Sequence, residues 1–157
     1  MKKYLIPLII ITFVFFFLFF IVNRKSVTDT KFYLDEDLYN QKNTEVPLKM
    51  SELERLQKKK ASFVVFFSMP YCTFDVPCEN IFKDVFKKYD TSFYSISFSD
   101  IKGTKLNEKI KYAPTFAVFR GGELVAFLDP NSDEDLKMYE SKEEFAKWIK
   151  KYIYLDR

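Results

Sequence analysis

The chain has 157 residues, with 25 basic and 22 acidic side chains and a formal net charge of +3. This length suits one domain of ordinary size with an additional terminal segment. The near balance of charge, without a basic stripe interleaved with aromatic residues, argues against a nucleic-acid-binding protein. Histidine is absent and there are two cysteines, which excludes His-based metal sites, structural zinc sites and His-dependent nucleophilic catalysis. We expect no cofactor.

The first feature along the chain is an apolar run from Tyr4 to Val22. Its length matches a helix that crosses a bilayer. A cleavable signal peptide is the alternative, but the run is longer than the apolar region of such peptides, and no Ala-x-Ala-like site follows. The sequence therefore predicts an uncleaved single-span anchor within residues 1–25.

The orientation of this anchor rests on the cysteines rather than on charge. Basic residues flank the run on both sides, so the positive-inside rule hardly decides between the two orientations. A disulfide between two cysteines forms and persists in an oxidising compartment rather than in the cytoplasm. We therefore predict a cell-membrane protein whose domain lies outside the cytoplasm.

After the anchor, residues 26–44 are polar and mixed in charge, which predicts a linker. The folded domain is expected to span residues 45–157. It would begin with an edge strand over residues 46–50, where a proline is tolerated. Ser51 and Glu54 have the spacing of a capping box, with Ser51 as N-cap of a helix that runs to about Lys60.

Ser62 to Ser68 is a continuous apolar run of strand length. Such a run is typical of a strand buried on both faces. It leads through Tyr71 to Cys72, so a thiol follows the carboxyl end of the strand, where open α/β sheets place their chemistry. A helix with one apolar face follows, with Asp75 as its predicted N-cap and Cys78 in its first turn. That apolar face is formed by Ile81, Phe82, Val85 and Phe86.

The second half of the chain predicts a strand at residues 92–98, a loop with a short helix at 102–111, and then a hairpin. Tyr112-Ala113-Pro114-Thr115 opens the hairpin, and Gly121-Gly122 supplies its turn. Ser141 and Glu144 form a second capping box. It begins a C-terminal helix whose apolar face is expected to comprise Phe145, Trp148, Ile149 and Ile153.

This order of strand, cysteine, helix, strand, X-Pro-Thr, hairpin and helix resembles the thioredoxin-like fold, in which a cis proline lies beside the reactive cysteine. The resemblance implies a three-layer α/β/α domain with a mixed central sheet. It also implies that Cys72 exchanges disulfides with a cysteine-containing protein or peptide. The residues that would bind this substrate are Tyr71, Ala113, Pro114 and Thr115.

The chain departs from the family pattern at several positions. Cys72 and Cys78 form a C-x5-C pair where a thioredoxin has W-C-G-P-C, and Asp75 stands at the place of the family's resolving cysteine. Tyr71 replaces the family's tryptophan. Phe66 replaces the buried acid that assists proton transfer in reducing members. These departures argue against efficient reduction of substrates and favour oxidation or isomerisation.

Whether the two cysteines bridge depends on where the following helix begins. A continuous helix from Thr73 would separate their Cα atoms by about 9 Å, whereas a disulfide needs about 4.4–6.8 Å. A helix that begins at Asp75 leaves a turn after Cys72 and permits the bond. We predict that the bond forms; a purely structural disulfide and two idle thiols are the alternatives.

The leading hypothesis is a membrane-tethered thiol–disulfide oxidoreductase with Cys72 and Cys78 as its catalytic residues. The alternative is a non-enzymatic partner-binding module, because the anchor, the capped helix and the cysteine strand are also similar to the bacteriocin transport accessory proteins. A plain structural tether is a third possibility, in which neither cysteine matters. The substrate and the oligomeric state do not follow from the sequence.

Overall fold

The structure, a computed structural model, describes residues 30–70 and 77–156. The described strands are β1 (Phe32–Tyr33), β2 (Glu45–Pro47), β3 (Phe63–Ser68), β4 (Phe93–Ser97), β5 (Thr115–Arg120), β6 (Glu123–Phe127) and β7 (Ile153–Tyr154). The described α-helices are α1 (Met50–Lys58), α2 (Cys78–Lys88), α3 (Lys105–Lys109), α4 (Asp133–Glu140) and α5 (Lys142–Ile149). Short 3₁₀ helices lie at Glu36–Leu38 and Phe98–Ile101.

The predicted membrane anchor at residues 4–22 lies outside the described residues. Within the described ranges, no helix combines the length and the apolar character needed to cross a membrane.

The central sheet has five strands in the order β2-β4-β3-β5-β6. Strands β2, β4 and β3 are parallel to one another, whereas β5 runs antiparallel to β3 and β6 antiparallel to β5. A separate parallel pair joins β1 to β7. The mixed central sheet agrees with the sequence prediction.

Two crossover connections determine the layers. The connection from β2 through α1 to β3 passes over β4, and the connection from β3 through α2 returns to β4. The two crossovers run in opposite directions across the sheet, so the strong preference for right-handed connections places α1 and α2 on opposite faces. The result is a three-layer α/β/α arrangement with the thioredoxin-like topology that the sequence predicted.

Strand β3 is buried on both faces, as its uninterrupted apolar sequence predicts. The side chains from Phe63 to Phe67 are at most 2% exposed. On one face, the Phe66 ring meets the Phe82 ring of α2 at a centroid distance of 5.4 Å. On the other face, Phe63 stacks on Phe119 of β5 at 4.7 Å. Full burial of one such side chain stabilises the fold by about 1.5–3 kcal/mol, so β3 is the centre of the core.

Aromatic rings also bring α2 and α5 together on one face of the sheet. Phe82 of α2 and Phe145 of α5 have centroids 4.4 Å apart. Phe116 of β5 lies 5.1 Å from each of these rings. The predicted capping of α5 is confirmed, because the Ser141 hydroxyl accepts a hydrogen bond from the Glu144 amide at 3.3 Å.

Helix α1 begins and ends earlier than predicted. Lys49, not Ser51, is its N-cap residue, and the Lys49 amide donates to the Glu52 carboxylate at 2.9 Å. Glu52 therefore takes the role that the sequence analysis gave to Glu54. The helix ends at Lys58, and the positive φ of 57° at Lys60 turns the chain away from the helical path.

Residues 26–44 were predicted to be a linker, but the second part of this range belongs to the folded unit in the structure. The compact unit begins at Lys31. Leu38 is fully buried, and Leu34 is 3% exposed. Strand β1 pairs with β7, where Ile153 aligns with Phe32. Ile153 was therefore wrongly assigned to the C-terminal helix, which ends at Ile149.

Helix α4 was not predicted. It occupies the connection between the β6 strand and α5, and its first turn carries Asp133, Glu134 and Asp135. Acidic side chains are favourable at a helix N-terminus. The Asp135 carboxylate also accepts the Asp129 amide at 2.9 Å, which fixes the approach of the chain to this helix.

The hairpin turn between β5 and β6 offers a matched pair of substitutions. Gly121 and Gly122 have φ values of 56° and 83°. A Cβ at Gly122 would lie 2.3 Å from the Gln57 carbonyl oxygen, whereas none of the surrounding atoms lies within 4 Å of a Cβ at Gly121. Gly121→Ala should lower the free energy of unfolding by about 1–2 kcal/mol, because the left-handed backbone at this position is unfavourable for a residue with a Cβ.

Gly122→Ala should lower the free energy of unfolding by about 1–3 kcal/mol more than Gly121→Ala does, because α1 or the hairpin must shift to make room for the Cβ. Urea denaturation of the two variants measures this difference. Equal losses would contradict the close approach of the turn to α1.

Candidate functional site

The candidate site lies at one edge of the central sheet. Strands β3 and β4 both end there, with Ser68 aligned to Ser97. Strand β5 begins there, with Thr115 aligned to Phe67. Continuing this antiparallel register by two residues places Met69 opposite Ala113. The chain therefore leaves β3 towards Cys72 beside the segment that contains Pro114.

Tyr71 and Cys72 lie outside the described residues, and so does Asp75. The bond between Cys72 and Cys78 therefore stays a prediction. Cys78 is described: it is the first residue of α2, and its side chain is 1% exposed. The Cys78 thiol is therefore enclosed by the protein at the start of the helix.

Helix α2 begins later than predicted, with Pro77 rather than Asp75 as its N-cap residue. The ψ angle of 109° at Pro77 is not helical, and the Pro77 carbonyl accepts the Asn80 amide at 3.0 Å. Proline has no amide hydrogen, so it is well tolerated at a helix start. The later start lengthens the stretch between Cys72 and the first turn of the helix.

The segment before β5 adopts the backbone that the resemblance to the thioredoxin-like fold implied. The Ala113–Pro114 peptide bond is cis. Pro114 and Thr115 are buried, whereas the Tyr112 side chain is 51% exposed. The Thr115 hydroxyl donates to the Tyr112 carbonyl at 2.7 Å, which closes the turn into the strand. The structure thus brings Ala113, Pro114 and Thr115 to the sheet edge that β3 leaves.

Tyr139 of α4 is a site residue that the sequence analysis missed. Its side chain is fully buried, and its hydroxyl lies 2.9 Å from the carbonyl oxygens of both Pro114 and Leu128. The hydroxyl also interacts with the Thr115 side chain. The Tyr139 ring meets that of Phe82, one helical turn after Cys78, at a centroid distance of 5.9 Å. Only the Leu136–Tyr139 spacing indicated an inward-facing helix position, and nothing in the sequence indicated the partners of the hydroxyl.

Burial raises the pKa of Tyr139 well above its ordinary range, and a negative charge on Cys78 acts in the same direction. The phenol is therefore neutral at physiological pH and has one proton to donate. That proton is shared between two carbonyl acceptors. Tyr139 consequently joins the start of β5 to the end of β6 through a neutral hydrogen-bond donor.

Phe66 confirms that β3 supplies no acid at this site. It is 2% exposed and packs among aromatic rings, including that of Phe93 at a centroid distance of 6.5 Å. The buried polar side chains found within residues 30–70 and 77–156 are all hydroxyls, belonging to Thr91, Ser92, Ser95 and Thr115. A buried carboxylate is therefore missing from this part of the chain.

Two large apolar side chains are exposed at this edge. Met69 follows β3 and is 41% exposed, and Tyr112 precedes the Pro114 turn and is 51% exposed. Two other exposed aromatic residues, Tyr33 and Tyr154, instead stack on each other at a centroid distance of 4.6 Å. The apolar exposure at the candidate site would suit contact with a partner chain.

No protein-family model and no curated protein matches this chain. Solved structures of thioredoxins are similar to it. Thioredoxin from Schistosoma mansoni is 24% identical with a TM-score of 0.48, covering 70% of this chain and 96% of its own. Thioredoxin NaTrxh from Nicotiana alata is 18% identical with a TM-score of 0.49, covering 71% and 95%. Oxidised thioredoxin O1 from Arabidopsis thaliana is 22% identical with a TM-score of 0.44, covering 60% and 93%.

The buried hydroxyl of Tyr139 generates a pH-dependent prediction. Tyr139→Phe should lower the free energy of unfolding by about 1–3 kcal/mol at neutral pH, because two buried carbonyls lose their donor. The folded pKa of Tyr139 lies above the unfolded value of about 10. Its contribution is therefore complete below pH 10 and declines as the pH rises beyond it.

Urea denaturation at pH 8 and at pH 11 measures this effect, with Tyr112→Phe as the exposed control. The deficit of Tyr139→Phe should shrink at the higher pH. A deficit that stays constant between the two pH values would contradict a buried, neutral phenol.

Proposed function

We propose that this chain is a thiol–disulfide oxidoreductase that acts outside the cytoplasm, tethered to the cell membrane by residues 4–22. Its reactive pair is Cys72 and Cys78, and its substrates are cysteine-containing proteins or peptides. One observation carries the proposal. The buried Cys78 begins α2, and the Phe82 ring one turn later meets that of Tyr139, whose hydroxyl bonds Pro114 at the sheet edge where β3 ends.

In the oxidising direction, a substrate thiolate attacks the sulfur of Cys72 in the Cys72–Cys78 disulfide. A mixed disulfide forms, and Cys78 leaves as a thiolate. A second substrate thiolate then attacks the substrate sulfur of the mixed disulfide, and Cys72 leaves as a thiolate. Two electrons pass from the substrate to the cysteine pair, and a low-molecular-weight or protein disulfide must accept them to restore the bond.

The roles of the two cysteines follow from their positions. Cys72 follows β3 in the sequence, and Met69 and Tyr112 are exposed at the edge where β3 ends, so Cys72 is proposed as the thiol that a partner chain meets first. Cys78 is 1% exposed, which suits a thiol that resolves the mixed disulfide from within the protein. Tyr71 and the Ala113–Thr115 segment would hold an extended substrate through backbone and side-chain contacts.

The direction of the reaction follows from Phe66. A reducing enzyme benefits from a group that moves a proton to or from the resolving thiol. Phe66 and its aromatic neighbours supply none. We therefore propose oxidation or isomerisation as the main activity and slow reduction of substrates.

A non-enzymatic partner-binding role is the second candidate, with a bacteriocin transport accessory factor as one example. The exposure of Met69 and Tyr112 at the sheet edge favours it, because exposed apolar side chains are typical of binding surfaces. Such a module would retain its partner without sulfur exchange, and the two candidates therefore differ in the chemistry of the captured complex.

A trapping experiment separates the two functions. Cys78→Ala in the full-length chain should accumulate mixed disulfides, because the Cys72 thiolate attacks a partner disulfide, one partner sulfur leaves as a thiolate, and the Cys78 thiolate that would displace the other is missing. Non-reducing electrophoresis of membrane fractions, after acid quenching and alkylation, should show adducts that reductant dissolves. The Cys72→Ala,Cys78→Ala double variant is the matched control and should show none. If Cys78→Ala yields only reductant-resistant complexes, or the same pattern as the double variant, the oxidoreductase proposal fails.

A further inference from the structure

Tyr139 makes contacts that reach two separate parts of the candidate site. Its hydroxyl bonds the Pro114 carbonyl at 2.9 Å, directly before β5. Its ring meets that of Phe82 in α2 at a centroid distance of 5.9 Å. Phe82 lies one helical turn after Cys78, which begins this helix and is buried. One side chain therefore spans the cysteine helix and the proline segment.

We propose that Tyr139 is a positioning residue for disulfide exchange, which holds the Pro114 segment in place against the start of α2. This inference rests on the proposed function, because the segment matters chemically only if it receives a substrate. Tyr139 exerts this role through the Pro114 segment, whose carbonyl its hydroxyl bonds. It acts by fixing the backbone that an extended peptide would lie along.

The support for Tyr139 is rigid, as a positioning role requires. The residue is fully buried near the end of α4, and its helix lies between the hairpin and α5. The hydroxyl also bonds the Leu128 carbonyl at 2.9 Å, and the Leu128 amide donates to Phe116 of β5 at 3.0 Å. The Asp135 carboxylate accepts the Asp129 amide at the other end of the connection. Rotation of the Tyr139 ring away from Pro114 would break both of its carbonyl bonds.

The geometry also indicates which kinetic constant depends on Tyr139. A displaced Pro114 segment would bind the peptide more weakly in the ground state and in the transition state alike. Loss of such uniform binding raises KM and leaves kcat almost unchanged. A residue that only maintained overall stability would instead lower the amount of active protein, which reduces kcat at unchanged KM.

The test compares the full chain in detergent with its Tyr139→Phe variant and a control, Tyr152→Phe. Tyr152 is a half-buried tyrosine whose ring packs on Trp148 at a centroid distance of 5.4 Å. The probe is a synthetic peptide with two cysteines and a fluorophore–quencher pair, and glutathione disulfide is the oxidant. Tyr139→Phe should raise KM for the peptide about tenfold, the effect of about one hydrogen bond, with kcat changed less than twofold. Tyr152→Phe should leave both constants unchanged.

Amide hydrogen exchange provides a readout that is independent of activity. In Tyr139→Phe, residues 112–116 should exchange about tenfold faster, while β4 should exchange as in the wild-type chain. If the wild-type chain oxidises the peptide and the KM of Tyr139→Phe is the same as that of the wild-type chain, the role of Tyr139 is overturned. Unchanged exchange at residues 112–116 would overturn it as well. A wild-type chain that does not oxidise the peptide would count against the proposed function, and the exchange data would still decide whether Tyr139 holds the segment.

Discussion

The arrangement of the molecule depends on the burial of β3 on both faces. A strand that is apolar and buried from Phe63 to Phe67 must be covered from both sides, and α1 and α2 provide these covers through crossovers of opposite direction. The same constraint fixes the direction in which β3 ends. Its carboxyl end meets the start of β5, because the two strands are antiparallel and aligned from Phe63 to Phe67.

The proposed chemistry would take place where this covered strand leaves the sheet. The aromatic packing of Phe66 and Phe82 fills the core below the edge, so a reactive group can be presented only above it. There the backbone of Pro114 is held by Tyr139, and the turn before it is closed by Thr115. The cysteine helix begins beside them with Cys78 buried. The core thus supports a proline segment that hydrogen bonds hold to Tyr139, and an aromatic contact between Tyr139 and Phe82 links it to the cysteine helix.

Features that depend on local pattern were predictable from the sequence. The apolar run of β3, the hairpin glycines and the Ser141 cap all follow from side-chain type and spacing, and the structure contains each of them. Features that depend on competition between similar signals were not. The spacing of Ser51 and Glu54 predicted one capping register, whereas the Lys49 amide bonds Glu52 at the start of α1. Tyr139 could not be assigned, because its two carbonyl partners are distant in sequence and carry no side-chain signal.

The central claim is that Cys72 and Cys78 form one redox couple. The most direct measurement equilibrates the full chain with glutathione buffers of graded potential, traps thiols by acid and alkylation, and counts modified cysteines by mass spectrometry. If the two cysteines form one couple, both thiols should appear together in a single two-electron transition. The buffer potential should then change by about 30 mV for each tenfold change in the ratio of reduced to oxidised protein. Two alkylated cysteines in every buffer, including the most oxidising one, would contradict the claim.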